Sequence, residues 1–189
     1  MKKVPPLFQR DESRRYVTDQ VTPGCEWVLA GEGVPTRKYD GACCMIDRAE
    51  HFWKRREIKP GKVAPEGFVL TEHDETTGKS FGWVLVGDRP EDWMFREARE
   101  NALVANVACG GSGLPAGTYE LIGPKVNGNP EGLELHLLLR HEDADVVLGT
   151  PCDFEGLRAF MASQGAGRET PPFRRGRDSL ARGAAPNRT

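Results

Sequence analysis

The chain has 189 residues, 38% of them apolar and 29% charged, with a net charge of -2. That balance suits one soluble folded domain with a real core. It excludes a bulk nucleic-acid coat, so any polynucleotide contact has to come from a local patch, and no apolar run is long enough to span a membrane. Met1 to Pro6 lack the apolar stretch of a signal peptide. The five cysteines are odd in number, with no Cys-x-x-Cys, and adjacent Cys43 and Cys44 make a poor disulfide framework. Reduced thiols in a cytoplasmic protein are expected. His51, His73, His136 and His141 show no zinc spacing.

Residues 1–24 are polar and contain prolines, and read as an arm or a short leading strand. Trp27 to Ala30 is a short apolar run closed by Gly31-Glu32-Gly33, which predicts a strand and a turn. Arg37 to Asp47 is the next predicted strand. Residues two apart on a strand share a face, so Lys38 and Asp40 fall in phase with Ala42, Cys44 and Ile46. Phe52 to Lys62 reads as a strand ending in a Pro60-Gly61 turn, and it is the most basic segment of the globular part. Its alternating Arg and Lys side chains suit a wall that contacts phosphate, although lysines also protect plain sheet edges.

Phe68 to Leu70 and Phe81 to Val86 predict a hairpin around the polar turn His73 to Lys79. Asp88 to Asp92 carries a cap residue, an early proline and acids, which mark a helix start. That helix is expected to run to about Leu103, with Met94, Ala98 and Ala102 on one stripe. Gly110-Gly111-Ser112-Gly113 is like a phosphate-cradling loop but lacks the following Lys-Ser/Thr, and reads as a turn. In Gly117 to Gly123, Glu120 sits in a short strand between apolar neighbours, where a carboxylate is usually paired or functional. Leu135 to Leu139 is an apolar strand, and Asp153 to Met161 a short capped helix.

The stretch Lys38-Tyr39-Asp40-Gly41 carries a mechanism. A lysine amine is a nucleophile only when neutral, and burial or a nearby cation, such as Arg37 or a metal, favours that form. Gly41 lets the backbone turn or approach a ligand closely. The tetrapeptide resembles the nucleotide-attachment motif of the covalent nucleotidyltransferases, which comprise DNA ligases, RNA ligases and mRNA-capping enzymes. Further motifs follow in order: Cys43-Cys44, Arg55 to Gly61, Tyr119 to Gly123, Asn127-Gly128-Asn129-Pro130 and Leu135 to Leu138. With them, residues 15–163 resemble the stand-alone 5′–3′ RNA ligase family of vertebrates and bacteria.

The resemblance implies an α+β fold, an antiparallel β-rich adenylyltransferase (ATP-grasp-like ligase) domain with flanking helices. It implies ATP and Mg²⁺ as cofactors, and RNA ends bearing a 5′-phosphate and a 3′-hydroxyl as partners. Lys38 matches the lysine that takes AMP. Asp40 matches the acid that orients the ribose or supports the metal, and Gly41 lies beside it in the nucleotide site. Glu120 matches the third-motif acid, which contacts the ribose and with Asp40 completes the implied metal site. Arg55 or Arg56 falls where the superfamily sets a basic residue against the nucleotide or the 5′-phosphate, and the sequence does not choose between them. The alternatives are a non-catalytic protein that binds nucleotides or RNA ends, and another covalent nucleotidyltransferase such as a capping enzyme or DNA ligase.

The pattern departs from the superfamily after residue 163. Two further strands are due there, one with Glu-Gly before apolar residues and one with Lys-x-Lys to grip the α-phosphate. Glu131-Gly132-Leu133 belongs to the preceding segment and Glu155-Gly156-Leu157 to a helical pattern, and neither is followed by a lysine pair. Residues 164–189 are rich in Arg, Gly and Pro without periodicity, and are expected to be a disordered tail. Such text fits a truncated or out-of-frame end better than a basic arm that grips RNA. The nucleotidyltransferase domain at 1–163 is thus expected to be incomplete at its C-terminal end and weak in lysine adenylation.

Overall fold

The computed structural model describes residues 5–13 and 15–163, and the backbone at 173–174. The chain divides into two compact units. Among the described residues, one is Tyr39–Asp143, and the other is made of those up to Lys38 and those from Ala144 onward.

In the second unit, β1 (Phe8–Arg10) and β2 (Val17–Val21) form an antiparallel pair. The Asp11 carboxylate closes their turn by accepting from the Arg15 and Tyr16 amides. The strand expected at Trp27 to Ala30 is instead a one-turn helix, α1 (Glu26–Leu29), with Val28 buried. Four apolar residues do not separate strand from helix by periodicity. Gly24 and Gly31, both at positive φ, bracket the turn here and leave no length for a ladder. Next, β3 (Val34–Pro35) pairs with Phe173–Arg174. Thr36 then bridges to Val146, and the Arg37 amide donates to the Asp145 carbonyl. The rest of the Arg-, Gly- and Pro-rich stretch predicted as a disordered tail lies outside the described residues.

The Tyr39–Asp143 unit is built on β4 (Ala42–Ile46), β5 (Phe52–Ile58), β6 (Val69–Asp74), β7 (Lys79–Leu85), β8 (Gly117–Ile122) and β9 (Leu137–Arg140). They form one six-stranded sheet in the order β6-β7-β5-β4-β8-β9, and every neighbouring pair is antiparallel. Between β7 and β8 runs α2 (Trp93–Ala108), entered by a 3-10 turn at Pro90–Asp92. In the second unit, α3 (Phe154–Ser163) is capped by the Asp153 carboxylate, which accepts from the Gly156 amide. The fold is α+β, as expected.

Strand alternation gives the sheet two faces. Cys44, Ile46, Phe52, Tyr119 and Leu121 pack against Phe95 and Ala98 of α2. Met45, Trp53 and Trp83 form a second cluster, joined by Cys43, Val69 and Leu85. The adjacent cysteines therefore point to opposite sides, and all five thiols are free. A buried charge joins helix to sheet: Asp92 is fully buried and accepts from Lys54, from Arg89 and from the Gly87 amide. His136 does similar work within the first half of α2, beside Trp93 and Glu97. It is nearly fully buried and bonds Glu97 at 2.8 Å and the Pro124 carbonyl at 2.6 Å.

Two more expectations shift. The strand predicted over Arg37 to Asp47 begins only at Ala42. The α2 helix runs on to Ala108, five residues past Leu103, and ends at Gly110 with positive φ. None of the described helices is long and apolar enough to cross a membrane.

Candidate functional site

Asp40 and Gly41 are held by a loop, not by a ladder. The Asn127 side-chain amide donates to the Asp40 carboxylate at 2.7 Å and to the Gly41 carbonyl at 2.9 Å. That replaces strand pairing and explains why β4 starts one residue later. Asn127 can reach back because its loop runs through left-handed backbone: Lys125, Asn127, Gly128 and Asn129 all have positive φ. Asn and Gly tolerate that region best, which is the physical reason for Asn-Gly-Asn at this place.

Gly41 is needed for space rather than for an unusual φ. A Cβ there would overlap the Leu121 carbonyl oxygen and come within 2.8 Å of Glu120 Cγ and 2.9 Å of Ile122 Cγ2. The backbone at Gly41 thus lies directly against β8 at Glu120. The close approach expected of Gly41 is met here by a neighbouring strand.

Glu120 and Arg55 belong to one row across three strands. Cys43 on β4 faces Glu120 on β8. On the other side, Cys44 pairs with Lys54, so Cys43 lies one step on, beside Arg55 of β5. Strands are spaced about 4.8 Å apart, which sets the two outer backbones roughly 10 Å apart. Both charges act on the thiol between them. Burial pushes Cys43 up to about 12, Glu120 adds to this, and Arg55 opposes it. A thiol so placed stays protonated at neutral pH and is no nucleophile.

The alternation also separates the two arginines that the sequence left open. Arg55 shares the Glu120 face, with its guanidinium carbon 5.1 Å from the Phe81 ring centre. Its Nη2 is buried without a hydrogen-bond partner, so one strong donor remains unsatisfied on this face. Arg56 lies in the alternate register, in phase with Lys54, and is exposed.

His141 is the residue that motif reading passed over. It follows β9 and lies at the start of a 3-10 turn, His141–Asp143. Its Nε2 is 2.9 Å from Glu120 Oε2, and its Nδ1 is 3.0 Å from the Thr118 hydroxyl. The available signal was period two on β8, which puts Thr118 and Glu120 on one face. No spacing rule brings position 141 opposite them, because β9 is reached through a long loop.

Lys38 is exposed. It closes the second unit, whereas Asp40, Gly41, Arg55, Arg56 and Glu120 all belong to the first. Within that first unit the structure brings Gly41 against Glu120, and Arg55 and Glu120 onto one face, but not Arg56. A cavity of about 460 Å³ is lined by Trp53, Phe68, Val69, Leu85 and Arg89, among others, and contains none of the predicted site residues. Among the described residues no three His, Cys, Asp or Glu side chains converge as a metal cage. A Mg²⁺ carried by phosphates asks for only one or two carboxylates and several waters. Asp40 and Glu120 are carboxylates, each with one oxygen already engaged, by Asn127 and His141.

No family model matches the chain. Over 113 residues it is 30% identical to RNA ligase 1 from Danio rerio, a match that covers 49% of this chain and 34% of that protein. The chain thus spans about one third of the curated relative's length. The similarity is distant and partial, and it supports a general relationship to the ligases and nucleotidyltransferases.

Proposed function

We propose that this chain is an ATP-dependent, RNA ligase-like nucleotidyltransferase with Lys38 as its nucleophile. The Lys38 amine attacks the α-phosphorus of ATP. A P–N bond forms, the bond to the β-phosphate oxygen breaks, pyrophosphate leaves and the amine loses a proton. A 5′-phosphate oxygen of RNA then takes the AMP, breaking the P–N bond. A 3′-hydroxyl finally attacks the activated 5′-phosphate and releases AMP. Mg²⁺ held by the phosphates with Asp40 or Glu120 would offset the negative charge that builds up in these steps.

The observation that carries the reading is the Arg55–Cys43–Glu120 row, with Gly41 packed against Glu120. A guanidinium donor left unsatisfied on the same face as a fixed carboxylate suits a ligand with an anionic end and a hydroxyl-bearing end. A nucleoside phosphate has both. Arg55 would take a phosphate oxygen and Glu120 a ribose hydroxyl, with Asp40 held ready by Asn127. The match to RNA ligase 1 supports the choice of RNA ends as substrate.

The test is label transfer. Incubation with Mg²⁺ and ATP labelled at the α-phosphate should give an acid-labile protein adduct in low yield, abolished in Lys38→Ala. Competition by GTP or NAD, and by DNA ends, reports on the capping-enzyme and DNA-ligase alternatives. Nucleotide binding without any adduct would sink the catalytic reading and leave a binding protein.

A further inference from the structure

We infer that His141 is a positioning residue that aims the Glu120 carboxylate and thereby sets the preference of the site for the nucleotide's ribose hydroxyls. The inference rests on the function proposed above. Thr118 and Glu120 stand two apart on β8 and so share a face. The imidazole spans them, with Nδ1 at Thr118 Oγ1 and Nε2 at Glu120 Oε2. A carboxylate only accepts, so Nε2 is the nitrogen that carries the proton. Thr118 meets the other ring nitrogen and stops the ring from turning, in the way that outer partners orient a ligating group.

The ring is also held along the chain. Before it, β9 pairs with β8 through Tyr119 and Arg140. After it, Arg140 pins the 3-10 turn by ion pairs with Glu142 and Asp143. Glu120 therefore has one oxygen occupied by an N–H from a fixed donor. Its other oxygen is presented in one direction, as an acceptor for a hydroxyl. Without His141 the same carboxylate has, among the described residues, the protonated Cys43 thiol and Leu139 as its cross-strand neighbours. Nothing of that strength would then hold its rotamer.

The experiment is equilibrium titration of the full chain with ATP, 2′-deoxy-ATP and 3′-deoxy-ATP in EDTA, where no transfer follows binding. A ribose hydroxyl bonded to a charged acceptor should make wild type prefer ATP over one of the deoxy forms roughly tenfold or more. In His141→Leu that ratio should fall to about one through weaker ATP binding, with the deoxy form changed little. His141→Gln keeps an N–H donor and should retain most of the ratio. Thr118→Val leaves the imidazole in place and should lower the ratio part way, which keeps the test available if His141→Leu does not fold.

A merely structural histidine would weaken all three nucleotides together and leave the ratio unchanged, which would overturn the inference. So would a wild type that binds ATP but ignores both deletions, and that result would leave the proposed function standing. A wild type that binds no ATP at all would remove the functional reading and this one with it.

Discussion

At the scale of single residues, the site depends on how closely Gly41 lies to β8. Adding one methyl group there would drive into the Leu121 carbonyl and the Glu120 side chain. Backbone cannot swing aside as a flexible side chain can. Gly41→Ala should therefore cost about 1–3 kcal/mol of stability, the range for forced overpacking, read as a lower denaturant midpoint at unchanged slope. A midpoint equal to wild type would show that the strands can part without loss. Asn127 has a different role in the same arrangement, since its one amide group fixes both a carboxylate and a carbonyl. Neither residue would be suspected from composition, yet together they set where the Lys-x-Asp-Gly segment leaves the sheet.

At the scale of elements, α2 is docked on the sheet through apolar packing and one buried charge. Burial pushes the Asp92 carboxyl up, but the Gly87 amide, the hydrogen bond and charge of Lys54, and Arg89 together hold it below its usual range. A carboxyl lowered in the folded state stabilises the fold above its unfolded value, about pH 4. That stabilisation is lost as the pH falls through the folded value. Wild type should thus lose stability steeply on acidification below about pH 4, and Asp92→Asn should flatten that part of the curve. Asp92→Ala should cost about 3 kcal/mol at neutral pH, because it strands the largely buried Lys54 ammonium. An Ala variant as stable as wild type would show that Lys54 finds water. Asp47 adds to the same acid-side loss. Burial raises its carboxyl, but bonds from Trp53 and from the His51 and Ala49 segment outweigh this and lower it.

At the scale of the whole molecule, the Tyr39–Asp143 unit holds the complete six-stranded sheet, α2 and both apolar clusters. It is about the size at which a single core sustains a fold. A fragment of residues 39–143 should fold on its own and melt in one cooperative transition followed by circular dichroism. A gradual, featureless melt would contradict that. The fragment lacks Lys38, so under the proposed function it could bind ATP but form no adduct.

Much of the architecture was legible in the linear text. The hairpin of β6 and β7, the long helix α2, the Glu120 strand and the capped α3 all follow from period, turn residues and caps. Those cues are local, and a local cue survives whatever the rest of the chain does. The one-turn helix at Glu26–Leu29 was misread because four apolar residues carry no period. Placing Lys38 and Asp40 in phase with Ala42, Cys44 and Ile46 failed for a related reason. Alternation carries only as far as the ladder, and the ladder stops at Ala42, while Ala42, Cys44 and Ile46 face α2.

The chain text by itself determined which groups are available: an amine, two carboxylates and a pair of adjacent arginines within recognisable motifs. Only the tertiary structure decided that Arg55 and not Arg56 shares a face with Glu120, that Gly41 abuts β8, and that His141 holds the carboxylate. Side-chain identity is written residue by residue. Which side chains meet depends on strand register and on the return of distant segments such as β9, and no short stretch of sequence specifies either.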